Sequence, residues 1–221
     1  MRWNIERHAG PAARHLDLPP AEHREVRILD VVRPALILGS SQDEAGFDTA
    51  RAAAAGVDVV RRPSGGGAVL VVPGKALWAD VFLPAGDPLW HNDVGVAFHW
   101  LGRAWAQALV EVGVTAHAYQ GAMRHTAWSK VVCFAGLGPG EVTHGPGGAK
   151  TVGLSQRRTR THARFQCCVV LRWNPDALVA LLAGPPPEGA SVDDLAHVAT
   201  GIGPDKCEPL LAAFTEVLAA L

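Results

Sequence analysis

The segment Val57-Asp58-Val59-Val60-Arg61-Arg62-Pro63-Ser64-Gly65-Gly66-Gly67-Ala68-Val69 decides how this chain reads. Val57 to Arg61 has the β-branched character of a strand, and Gly65, Gly66 and Gly67 follow as a tight turn without side chains. Three consecutive glycines cost backbone entropy, which makes sense where a ligand must approach the main chain closely. Their N–H groups can meet an anion or a carbonyl, and Arg61 and Arg62 can add charge-assisted hydrogen bonds. A flexible hairpin loop with a solvated arginine pair accounts for the same composition.

Working outward, Val26 to Val32 and Ala35 to Leu38 read as short strands split by Arg33-Pro34. Asp48 is placed to cap a helix over Thr49 to Ala55 that stops at Gly56. Downstream, Ala76 to Leu83 alternates as a strand. A long helix is expected from Asp93 through Val112, with Val96, Trp100, Leu101, Ala104, Ala108 and Leu109 on its buried side. Lys130 to Phe134, Thr151 to Leu154 and Phe165 to Trp173 read as further strands, and the tail as helices over 175–182, 191–198 and 206–220. The first 25 residues show no clear periodicity and are expected to form an irregular arm, leaving 26–221 as one domain. Several strand-to-strand connections are too short for a parallel crossover. The expected fold is therefore α+β: a mixed, largely antiparallel sheet packed by helices.

With 221 residues, 48% of them hydrophobic, the chain can bury one core without metal or disulfide support. The cysteines at 133, 167, 168 and 207 form no C-x-x-C pair and read as reduced thiols. A net charge of −1 argues against a protein that coats nucleic acid or an acidic membrane. No apolar run approaches the roughly 18 residues of a membrane span, and the opening Met1-Arg2-Trp3-Asn4 lacks a signal-peptide pattern, so the cytoplasm is the expected location. Gly74-Lys75 fails as a phosphate loop because Val69 and Ala76 occupy required positions. No two histidines stand four apart, and no metal site is expected.

Two further stretches carry chemistry. Lys150 heads a β-like run bracketed by Gly147, Gly148 and Gly153, where its ammonium can be held against a substrate oxygen; an exposed strand end explains the same pattern. Behind it, Arg157, Arg158, Arg160 and Arg164 read as a local basic patch. Cys133, directly after Val131-Val132, taken alone reads as a small buried hydrophobe.

Taken in order, Pro34-Ala35-Leu36-Ile37-Leu38-Gly39-x-x-Gln42, Arg61 to Val69, and Lys150-x-x-Gly153-x-x-Gln156 resemble the lipoate-protein ligase A and octanoyltransferase family. The resemblance implies an α+β catalytic domain related to that of biotin protein ligases. It implies attachment of a lipoyl or octanoyl group to a lysine of a lipoyl domain, as in 2-oxoacid dehydrogenases or the glycine cleavage H protein. Arg61, Arg62, Ser64, Gly65, Gly66, Gly67, Ala68, Val69 and Gly153 would then bind the acyl group, and Lys150 would hold its carbonyl oxygen. Candidate walls of an apolar tunnel are Leu36, Leu38, Val69, Leu77 and Val152.

Two chemistries are open within that family. A ligase would use ATP and magnesium, but Gly138-Pro139 stands where the bacterial ligases carry Asn-Asp, Val71-Val72 stands where His-Asp is common, and Lys75 replaces an asparagine. No full C-terminal accessory domain is expected after Arg172. A cysteine-type octanoyltransferase would need no cofactor and would take its acyl group from an acyl carrier protein. Cys133-Phe134 followed by Glu141 matches that pattern and makes Cys133 the expected nucleophile, although Gly67 is smaller than the residue those enzymes tend to place there. A catalytically silent accessory protein that binds acyl chains or lipoyl domains is the third alternative.

Overall fold

The computed structural model describes residues 2–145 and 147–221. In chain order they form β1 (Asn4–Gly10), α1 (Ala12–Leu16), β2 (Glu25–Val31), β3 (Ala35–Leu38), α2 (Thr49–Ala54), β4 (Asp58–Arg61), β5 (Val69–Val71) and β6 (Ala76–Pro84). Then come α3 (His99–Glu111), β7 (Ala116–Ala118), β8 (Val142–His144), β9 (Ala149–Arg158), β10 (His162–Val170), α4 (Pro175–Val179) and α5 (Cys207–Ala219). The strands build two sheets, one in the order β1-β2-β6-β10-β9-β8-β7 and a smaller one in the order β4-β3-β5. Among the strands named above, only β1–β2 and β3–β4 pair in parallel. The α+β reading with a mixed, largely antiparallel sheet therefore holds, with the strands divided between two sheets instead of one.

Alternation in β6 explains the layering. Leu77, Ala79, Val81 and Leu83 face the core beneath α3 and α5, while Trp78 faces the small sheet beside Ile37 and Val71. Under the helices, Trp105 of α3 and Phe214 of α5 stack with ring centroids 3.6 Å apart. The short link after β2 carries the chain from the large sheet to the small one.

Several expectations are corrected. The first 25 residues are not an irregular arm: Asn4–Gly10 is an edge strand in register with Glu25–Val31, and Ala12–Leu16 is a helix. The polar residues of β1 hide its periodicity, because its Arg7 bonds Asp30 and Glu208 in place of apolar packing. The long helix begins at His99, and Asp93 instead accepts hydrogen bonds from Gly95 and Val96 at the start of a short 3-10 turn. Lys130 to Phe134 is not a strand. Thr126 and Ser129 form a capping box over a 3-10 turn, and a second 3-10 turn follows at Cys133–Ala135. The arginine patch also breaks up. Arg164 is buried against Asp80 at 2.7 Å, and Arg158 lies over Trp90 at 4.3 Å, leaving Arg157 and Arg160 exposed.

Among the described residues no helix is long and apolar enough to cross a membrane. Burial against Trp78 pushes the His15 imidazole below its ordinary value, outweighing the Asp30 carbonyl that favours its protonation. The unfolded chain then takes up a proton near the ordinary histidine value before the folded one does. Stability falls as pH drops below about 6.5, by up to ~1.4 kcal/mol per pH unit from this group, until the folded form also titrates. Urea unfolding of wild type and His15→Gln between neutral and mildly acid pH checks this: the variant is expected to lose less stability over that span.

Candidate active site

The chain itself, more than any ligand, presses on the glycine turn. A Cβ on Gly67 would lie 2.7 Å from the Cys133 nitrogen and 2.7 Å from the Val132 carbonyl carbon. One on Gly39 would lie 1.9 Å from the Gly66 oxygen. Gly66 has a φ of 96°, which only glycine adopts readily. Main-chain bonds lock the contact: the Ala68 amide donates to Val131 at 2.8 Å, and the Cys133 amide donates to Ala68 at 3.0 Å. The Cys133 sulfur then sits 3.8 Å from where a Gly66 Cβ would be. Turn and cysteine, 66 positions apart in sequence, share one surface.

The two arginines do not stand free. Arg62 is buried, and its guanidinium donates to the carbonyls of Ile37 (3.2 Å), Gly65 (2.7 Å) and Gly67 (2.8 Å), so it braces the turn from inside. Arg61 is exposed and donates to Gly39 and Gln42. Ser64, also buried, donates to Gln166 at 2.7 Å and lies 3.0 Å from the Ser155 hydroxyl, tying the turn to the large sheet. Among the described residues the amide of Gly66, which is exposed, bonds no protein acceptor, so it remains available to an incoming oxygen.

Lys150 is 3% exposed and points inward from β9. Its Nζ donates to both Glu141 oxygens (2.8 and 2.9 Å), to the Gly136 carbonyl (2.8 Å) and to the Cys133 carbonyl (2.9 Å). The Phe134 ring lies 5.0 Å away. An ammonium has three N–H groups, so four acceptors already compete for them. Glu141 in turn accepts from the amides of Gly138 and Leu154. The pair therefore holds the cysteine loop against β9, and a substrate oxygen reaching Lys150 must replace an existing bond. Glu141 was marked in the sequence only by its spacing from Cys133. Gln166 and Ser155, which anchor Ser64, carried no signal. Gln156 closes the lysine motif but pairs with Phe165 on the opposite face of β9.

Between the sheets lies a cavity of about 40 Å³ walled by Ile37, Val69, Trp78, Cys133, Phe134, Gly153 and Cys168. The gap is narrow, and an octanoyl chain enters it by parting the walls. Of the tunnel walls expected from sequence, Val69 is in place. Leu36 and Leu38 pack into the core on the far side of the small sheet, and Leu77 and Val152 face the helices. The other cysteines are poor nucleophiles. Burial pushes the Cys168 thiol up to about 12, raises Cys167 further, and raises Cys207. Cys133 is half-buried on its turn, and Gly66 beside it lines a surface groove of about 910 Å³ that also takes in Met123, Lys130 and Leu182.

Known proteins share this architecture. The lipoyl protein ligase A/B catalytic domain model matches residues 15–208. No curated protein matches the chain in sequence. A bipartite lipoate protein ligase from Thermoplasma acidophilum, studied with its E2 lipoyl domain, superposes with a TM-score of 0.75 at 16% identity, covering 99% of this chain and 84% of the other. Lipoate-protein ligase A bound with ATP gives 0.66 at 16% identity, covering 99% and 86%. LipL1 of P. falciparum, in complex with lipoate, gives 0.66 at 12% identity, covering 99% and 62%. At these identities the likeness establishes the fold.

Proposed function

Because the chain belongs to the lipoyl protein ligase A/B catalytic domain family, we propose that it transfers a lipoyl or octanoyl group to a lysine of a lipoyl carrier domain through a thioester on Cys133. The observation that carries this reading is the packing of the glycine turn on Cys133, with its sulfur beside Gly66 at the mouth of an apolar cavity. A nucleophile, an unpaired main-chain donor and a narrow, largely apolar gap between the sheets thus meet in one region.

In the first step the Cys133 thiolate attacks the thioester carbonyl of an acyl carrier protein. The carbon–sulfur bond to the donor breaks, and the departing thiolate takes up the proton released from Cys133. In the second step the lysine amine of the lipoyl domain attacks the new thioester. An amide forms, Cys133 leaves as thiolate, and it recovers the proton that the amine sheds. Each tetrahedral intermediate places negative charge on the former carbonyl oxygen. The exposed amide of Gly66 supplies a donor to it, a contact typically worth about 2.7–4 kcal/mol. Lys150 fixes the Cys133 carbonyl and can turn one N–H to the same oxygen.

Neither step consumes ATP. Val71-Val72 and Gly138-Pro139 stand where the bacterial ligases carry His-Asp and Asn-Asp, which supports a route without a nucleotide. Octanoyl acyl carrier protein and a lipoyl domain, incubated with the protein with and without ATP, test the reading. Transfer is expected without ATP and is expected to fall more than about a thousandfold in Cys133→Ser. Strict ATP dependence with an indifferent Cys133 would make the protein a ligase, and no transfer under either condition would make it an accessory binder.

A further inference from the structure

On the face of the large sheet that meets the small one, Gly153 of β9, Cys168 of β10 and Trp78 of β6 stand in register on three adjacent strands. All three line the cavity between the sheets. At the Gly153 end lie Cys133 and Phe134, whose ring would meet a Cβ on Gly153 at 3.2 Å. Trp78 is two strands away, and at ~4.8 Å per strand the row spans about 10 Å. It begins with no side chain, continues with a small one and ends with the largest.

Trp78 is held there firmly. Its ring nitrogen donates to Asp80 at 2.9 Å, and Asp80 is gripped by the Arg164 guanidinium at 2.7 Å. The His15 ring meets the indole edge-on, 5.9 Å between centroids, and Ile37 of the small sheet packs in the same cluster. The acyl-transfer reading uses none of these four contacts.

We propose that Trp78 is the stop that sets the length of acyl chain this protein accepts. The inference rests on the acyl-transfer reading above. A chain tethered at Cys133 passes over Gly153 and Cys168, parting the small sheet from the large one, and its terminal methyl meets the indole. Each methylene seated before the stop adds about fourfold to affinity, and one beyond it has no seat.

The test is calorimetric binding of straight-chain carboxylic acids, from butyrate to tetradecanoate, to wild type, Trp78→Leu and Cys168→Leu. Leucine at 78 keeps the core apolar while removing the bulk of the indole; leucine at 168 intrudes midway along the row. Affinity for wild type is expected to rise with length to a limit. That limit moves to longer acids in Trp78→Leu, with about sixteenfold gained for two newly seated methylenes, and to shorter acids in Cys168→Leu. A limit unchanged in both variants, or no binding of any acid to wild type, overturns the proposal. Acylation of Cys133, read separately by mass spectrometry, judges the transfer reading: a length limit that follows Trp78 in a protein that transfers nothing would sink that reading and keep the stop.

Discussion

Lys150→Met is expected to destabilise the fold by about 3–5 kcal/mol, because it leaves the buried Glu141 carboxylate without its cation. For a chain of this size that is a drop in Tm of roughly 6–20 °C. Glu141→Gln strands the ammonium instead and is expected to lose a similar amount. The double variant removes both charges while the glutamine oxygen can still accept from the Gly138 or Leu154 amide. It should therefore lose about 2–3 kcal/mol less than the sum of the singles. Calorimetric melting of the four proteins gives the coupling. Acyl transfer separates the two roles of the pair: it should stay abolished in the double variant, since the Cys133 carbonyl has lost its anchor. Full transfer by the double variant would show that the pair serves the fold alone.

Gly67→Ala should lower kcat by about a hundredfold or more, and by far more than Gly65→Ala does. The added methyl at 67 meets backbone atoms of Val132 and Cys133 at 2.7 Å, which cannot rotate away as a side chain would. The loop carrying the sulfur must shift, and a displacement of about 1 Å at a reacting group can cost 10²-fold. At 65 nothing lies within 4 Å of the new methyl. Steady-state kinetics of the two variants, with melting curves to show that both are folded, check the contrast. Equal activity in both would mean that contact between the turn and Cys133 has no part in the chemistry.

β6 and β10 were legible in the sequence because both of their faces pack against other layers, which makes them long, mostly apolar runs. Val131-Val132 misled for the opposite reason. The pair is apolar because it sits under the glycine turn and not because it belongs to a ladder, and periodicity cannot separate those cases. The triple glycine was read as room for a ligand; much of that room is filled by the chain itself, through a contact whose partner lies far along the sequence. Lys150 was expected at a strand end facing substrate. Its burial depends on Glu141, nine positions earlier, and on the carbonyls of a loop whose course no local pattern announces. Trp78 carried no functional signal, since its meaning comes from register with Cys168 and Gly153, which only the assembled sheet displays.

The most direct measurement is the mass of the protein after incubation with octanoyl acyl carrier protein in the absence of ATP, followed by peptide mapping. The result predicted is a single octanoyl increment on the peptide containing Cys133, discharged when a lipoyl domain is added and absent from Cys133→Ser. A lipoyl domain that becomes octanoylated while Cys133 is never modified, or an adduct that maps to another residue, would contradict the account.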